Sequence, residues 1–129
     1  LDPDKRSCSH IKKNLKINVI HGDFLKKKIE GKYNLITLNK VLEHVENPKI
    51  MLLKAKKILR KNGLIYIEVP DIKASIQGKS REEFHIDHLH VFSKHSLDYV
   101  TKKIKLKRKF LKSIKEPSGK FTIFGVFAK

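Results

Sequence analysis

The chain has 129 residues, with 30 Lys and Arg against 13 Asp and Glu, a formal net charge of +17 and a pI near 10.0. That length bounds it to one domain at most, smaller than a complete α/β nucleotide-binding domain usually needs. A single cysteine, Cys8, excludes an intrachain disulfide and makes a reduced cytoplasm the expected compartment; no apolar run approaches the roughly 20 residues that span a bilayer, and the first residues, with Asp2, Asp4 and Lys5, lack the apolar core expected of a secretory signal. The charge would draw nucleic acid, anionic lipid or phosphorylated molecules, yet arginine, which suits bidentate phosphate and base recognition, occurs only at positions 6, 60, 81 and 108. The remaining basic residues are lysines spread along the chain, which reads as a solvated surface; the densest run, Lys102 to Lys112, is either the place for an anionic partner or an edge strand protected by lysines.

In chain order, Asp4 to Asn14 is polar and lysine-rich, a weak surface helix at best. It leads to a short strand over Ile17, Val19 and Ile20 that His21-Gly22-Asp23 breaks. After the charged connection Lys26 to Lys32, Tyr33 to Leu38 is a largely apolar strand of the kind buried on both faces of a parallel sheet. Asn47 and Pro48 supply an N-cap and a first helical position. Met51, Leu52, Ala55, Ile58 and Leu59 then mark one face of a helix that Asn62-Gly63 closes. Leu64 to Val69 is the next strand, ended by Pro70, and the poorly patterned Asp71 to Glu83 reads as a loop or lid. Phe84 to Phe92 fits either strand or loop, after which Ser93 can cap a helix carrying Leu97, Val100 and Ile104. Lys105 to Lys115 and Phe121 to Ala128 form an antiparallel hairpin around Glu116-Pro117-Ser118-Gly119. Strand and helix alternating, then a terminal hairpin, is an α/β arrangement.

Two segments concentrate ionisable side chains. Glu43-His44 follows the Tyr33 to Leu38 strand by way of the Asn39-Lys40 loop, and the HIDHLH segment carries His85, Asp87, His88 and His90. Imidazole and carboxylate are the usual ligands of zinc, but on a strand His88 and His90 would share one face and His85 and Asp87 the other, which divides the set.

Taken in order, GDF at Gly22 to Phe24, YNLITLNKVLEHVENP at Tyr33 to Pro48, the helix closed by Asn62-Gly63, the strand LIYIEVP and DHLHVFSKHSL resemble class I S-adenosylmethionine-dependent methyltransferases over nearly the whole chain. The type resembled is the small-molecule one. It implies a Rossmann-like methyltransferase sheet with S-adenosyl-L-methionine over the carboxyl ends of its strands. On this resemblance Asp2 stands where an acidic residue accepts from the ribose hydroxyls, Asp23 where one accepts from the adenine amino group, Phe24 against the ring and Asn39 beside the methionine part. Lys40 to His44, KVLEH, stands where related enzymes have E-V-L-E-H. A lysine in place of the first carboxylate disfavours the divalent ion that pattern can hold, so no metal is expected. Glu43 and His44 are then either substrate-binding or structural. Within DHLHVFSKHSL, His88, Phe92, Ser93, Ser96 and Leu97 match an H-x-x-x-F-[ST]-x-x-S-L stretch whose histidine lies near the acceptor pocket; His88 is the candidate general base, against a structural role. Asn34 departs from the aspartate often found there.

Leu1-Asp2-Pro3-Asp4 looks like the end of the family's second strand, and the six glycines contain no G-x-G. The resemblance therefore implies a partial methyltransferase domain over residues 1–129, truncated at its N-terminus, ending in the hairpin and inactive alone. The expected function is methyl transfer to a small-molecule acceptor such as a sugar, quinone precursor or lipid-linked intermediate. A noncatalytic basic module binding RNA or an acidic partner is the alternative, with the charge as its support.

Overall fold

A computed structural model of the chain describes residues 1–77 and 82–129, arranged as two compact units, residues 1–30 and 31–129. In the first, Asp4 starts helix α1 (Lys5–His10) by accepting from the Arg6 and Ser7 amides at 3.0 and 3.3 Å. The helix runs on into a π-helical turn, Ile11–Leu15, which Lys16 ends at φ 53°. The strand expected over 17–20 is not formed. Only one residue lies alongside: Asp2 donates to the Ile20 carbonyl at 3.1 Å and accepts from the Gly22 amide at 2.9 Å, an isolated parallel bridge to His21. A strand exists through its neighbour's hydrogen bonds, and one bridged residue does not make a ladder.

The second unit is built on a four-stranded sheet of order β1-β2-β4-β3, where β1 is Tyr33–Asn39, β2 Leu59–Pro70, β3 Lys107–Lys115 and β4 Phe121–Ala128. β1 and β2 are parallel and joined by helix α2 (Pro48–Ile58); β4 runs antiparallel between β2 and β3. Asn47 caps α2 by accepting from the Ile50 amide at 3.1 Å, with Pro48 at the first position where a missing N–H costs nothing, and the helix buries Met51, Leu52 and Ala55. It closes at Ile58 rather than at Asn62-Gly63. Leu59 is already extended and 1% exposed, so its burial draws the chain into the sheet four residues early. Asn62, at φ 63°, instead turns the chain within β2, where pairing jumps from Tyr33–Leu59 to Leu35–Leu64.

Ile65, Ile67 and Val69 of β2 are wholly buried, with Ile123 and Phe127 of β4 opposite Val69 and Ile65. β1 departs from expectation: Leu38 is its buried residue, whereas Leu35 is 55% exposed, because among the described residues β1 is paired only on its β2 side. Helix α3 (Lys94–Lys103) begins with a reciprocal cap. Ser93 Oγ accepts from the Ser96 amide at 3.0 Å and Ser96 Oγ from the Ser93 amide at 2.9 Å. Leu97 and Thr101 face inward, and Lys56 Nζ donates to the Ile104 and Lys105 carbonyls just past the helix end. The lysine-rich run is thus divided, Lys102 and Lys103 closing α3 and Lys107, Lys109 and Lys112 lying on β3, an edge strand. Gly119, at φ 87°, makes the expected hairpin turn.

The expected loop over 71–83 contains short 3-10 turns at Ile72–Gln77 and Glu82–Phe84, and residues 78–81 of that expected lid lie outside the described residues. Residues 85–92 form a loop rather than a strand, tied to the sheet by a bridge between Asp71 and Phe92. No helix among the described residues is long and apolar enough to cross a membrane.

Gly125 lies at the centre of β4, where a Cβ would sit 2.8 Å from the Phe127 ring and 3.0 Å from a Leu111 methyl. Gly125→Ala should therefore destabilise the chain by about 1–3 kcal/mol through overpacking. Urea unfolding checks this as a lower midpoint at unchanged slope.

Candidate functional site

The chain leaves β1 at Asn39, which is exposed at the carboxyl end of the strand in register with Glu68. Lys40 follows in the left-handed region at φ 51°, its amide held by the Glu68 carbonyl at 2.9 Å. This turn carries the chain into the 3-10 turn Leu42–His44, where Leu42 and Glu43 are buried and His44 is exposed. Loop 85–90 is stitched to the same turn: the His90 amide donates to the Glu43 carbonyl at 3.1 Å, and His44 Nδ1 lies 3.1 Å from the Asp87 carbonyl. His88 Nδ1 lies 3.0 Å from the Glu83 carbonyl. A carbonyl oxygen can only accept, so in the neutral rings each Nδ1 carries the proton and each Nε2 keeps a lone pair.

The two imidazoles stand edge to face, 4.8 Å apart, beside Glu43. Glu43 is 1% exposed, and its Oε2 has no hydrogen-bond partner among the described residues. Burial pushes this carboxyl above its ordinary range, while a bond to its own backbone and the nearby His44, His88 and Lys40 pull the other way. All three residues line a cavity of about 330 Å³, together with Lys40, Pro70, Glu83, His85, Asp87, Lys120 and Phe121.

Lys40 Nζ donates to Thr122 Oγ1 at 2.8 Å and lies 3.7 Å from Glu68 and 3.8 Å from Glu116. The Thr122 hydroxyl in turn donates to Glu116, the largest influence holding that carboxyl below its ordinary range; Lys40, Ser118 and Lys120 act in the same direction, against partial burial.

The structure brings Glu43, His44 and His88 together. It does not gather the histidine-rich segment as a whole, since His85 pairs with Asp87, and His90 Nε2 lies 3.3 Å from the Glu46 carbonyl. Dividing the segment by strand faces fails because it is not a strand. Asp2 and Asp23 lie in the first unit. Asp2 Oδ1 accepts from the Asp4 amide and Asp23 Oδ1 from the Leu25 amide, each at 2.7 Å, while Phe24 is half-buried. Sequence reasoning missed the carbonyls of Glu83 and Asp87 as the groups that orient the rings, and Glu116 and Thr122 as partners of Lys40. Backbone acceptors and long-range partners leave no local signal.

A parallel βαβ pair extended by an antiparallel hairpin, with its loops gathered at the carboxyl ends of the parallel strands, is the later part of a Rossmann-like methyltransferase sheet. Residues 3–107 match the model of the methyltransferase domain family, and the chain belongs to that family. A 72-residue stretch is 38% identical to an uncharacterised protein of Methanocaldococcus jannaschii, covering 56% of this chain and 34% of that one; the chain thus spans about a third of that curated relative. Among solved structures, a SAM-dependent methyltransferase from Thermotoga maritima is similar at TM-score 0.76 and 16% identity, over 98% of this chain and 70% of that one. An N-methyltransferase from Bradyrhizobium japonicum, in complex with S-adenosyl-L-homocysteine, is similar at TM-score 0.71 and 12% identity, over 99% of this chain and 64% of that one.

Because the folded state holds Glu116 below its ordinary value of 4.5, its contribution to stability is present above 4.5 and is lost as pH falls through the lower folded value. Wild type should therefore exceed Glu116→Gln in stability at pH 7, and the gap should close on acidification; urea midpoints measured across that range check it.

Proposed function

We propose that this chain is part of a longer S-adenosylmethionine-dependent methyltransferase acting on a small-molecule acceptor. The observation that carries this reading is the convergence of two oriented imidazoles and a buried carboxylate on a cavity at the carboxyl ends of β1 and β2, within a methyltransferase-family domain. Ligands of open α/β sheets bind at such strand ends. A cavity of about 330 Å³ suits a small acceptor, of the size of a sugar or quinone precursor or the head of a lipid-linked intermediate. Among the structural relatives, an N-methyltransferase from Burkholderia thailandensis holds a bound small acceptor together with S-adenosylhomocysteine.

S-adenosylmethionine supplies an electrophilic methyl group on a sulfonium, which leaves the chain to bind, orient and remove a proton. Asp2 and Asp23 fit that cofactor by their donor-acceptor chemistry. Each uses one carboxylate oxygen on a turn amide, and the second can accept, from ribose hydroxyls at Asp2 and from the adenine amino group at Asp23. Phe24 offers an aromatic surface for the adenine, and Asn39 a polar group at the end of β1. His88 takes the acceptor's proton on Nε2, its ring held by the Glu83 carbonyl, while Glu43 stabilises the imidazolium that forms. Glu43 and His44 form the wall against which the acceptor lies.

S-adenosylhomocysteine titrated by calorimetry should bind weakly or not at all to residues 1–129, whose glycines supply no G-x-G backbone cradle, and tightly to a chain extended upstream. Tight binding by residues 1–129 would refute the partial-domain reading, and failure of both folded chains would refute the cofactor assignment. In the extended chain, His88→Gln should lower kcat by about 10²- to 10⁴-fold at unchanged S-adenosylhomocysteine affinity, whereas Asp23→Asn should weaken that affinity.

A further inference from the structure

The carbonyl that aims His88 belongs to a residue whose side chain is bonded to the sheet. Glu83 lies in the 3-10 turn Glu82–Phe84 and is 3% exposed. Its main-chain oxygen accepts from His88 Nδ1 at 3.0 Å, and its carboxylate Oε1 accepts from the Phe121 amide, also at 3.0 Å. Phe121 is the first residue of β4, in register with Lys115 of β3, and its carbonyl accepts from the Asp71 amide at 2.9 Å. Glu83 is therefore moored on a backbone position that the sheet already fixes.

A carbonyl's direction is only as fixed as the peptide that bears it, and a short 3-10 turn, with its poorer hydrogen-bond geometry, gives little hold of its own. The two imidazoles of the site differ in this respect. The ring of His44 rests on the Asp87 carbonyl, and the Asp87 side chain is 63% exposed and paired with His85 of the same loop. The ring of His88 rests on a buried residue tied to β4. The hydrogen bond made by one ring nitrogen decides where the proton sits. A neutral imidazole free in water prefers its proton on Nε2, the reverse of what a base acting through Nε2 needs, so the Glu83 carbonyl opposes the ring's own preference.

We propose that Glu83 is a positioning residue for His88. Its carboxylate, anchored on the Phe121 amide, holds its own carbonyl against His88 Nδ1 and keeps the ring in the tautomer whose Nε2 can take a proton. The catalytic consequence rests on the proposed role of His88 as the base, whereas the tautomer does not. Glu83 also lines the cavity beside His88, and two substitutions separate tether from charge. Glu83→Gln keeps an oxygen for the Phe121 amide and removes the charge; Glu83→Ala removes both.

Nitrogen-15 NMR of the chain, without cofactor or acceptor and well above the usual imidazole pKa of about 6.5, reads the tautomer of each ring. Wild type and Glu83→Gln should show His88 protonated on Nδ1. Glu83→Ala should reverse the major form at His88 and leave His44 unchanged. In the chain extended upstream, Glu83→Ala should lower kcat about tenfold or more at unchanged acceptor KM and S-adenosylhomocysteine affinity, and Glu83→Gln should restore most of it. Circular dichroism confirms the fold of each variant, and Glu83→Leu, which fills the space but cannot accept, replaces Glu83→Ala should the latter unfold. A His88 still protonated on Nδ1 in the folded Ala or Leu variant, or an equal change at His44, overturns the proposal. Reversal at His88 with kcat unchanged establishes the hold of Glu83 on the ring and refutes instead the assignment of His88 as the base.

Discussion

The larger unit depends on β2 being hydrogen-bonded along both edges, parallel to β1 on one side and antiparallel to β4 on the other. A strand paired on both sides has no open backbone along its ladders, so apolar residues can fill its buried face without leaving amides unpaired. Ile65, Ile67 and Val69 do this, each fully buried. The strand also fixes where the loops emerge. Glu68 holds the Lys40 turn through its carbonyl, Pro70 forms part of the cavity wall, and Asp71 accepts from the Ser113 hydroxyl and the Lys73 amide as the chain leaves the sheet.

At the site the decisive physics is the cost of keeping Glu43 buried. A carboxylate removed from water needs hydrogen bonds or a counter-charge. Here the compensation is incomplete, with one oxygen unpartnered among the described residues. Such an arrangement is unfavourable for stability alone, and functional sites are where folds retain unfavourable arrangements.

Much of the element order is legible in the sequence, because its signals are local. Asn47-Pro48 starts α2, Ser93 starts α3, and Glu116 to Gly119 turns the hairpin, each by chemistry confined to a few residues. Where the reading slipped, a distant contact outweighed a local preference. Asn62-Gly63 looks like a helix end, but burial of Leu59 ends the helix sooner. Ile17 to Ile20 has the composition of a strand, but only Asp2 pairs beside it. Tyr33 to Leu38 looks fully buried, but burial depends on neighbours that composition does not specify. At the site, the Glu43-His44 pair and His88 stand out in the sequence, whereas their meeting does not, since it depends on loop 85–90 crossing over the turn at residues 42–44.

That crossing is a pair of reciprocal tethers, the His90 amide to the Glu43 carbonyl and the His44 ring to the Asp87 carbonyl. The loop that roofs the cavity is therefore also the clamp that aims the histidine. Displacing that loop would break both contacts at once, so the direction of the His44 ring and the seat of the Glu43 backbone are set by the same few residues.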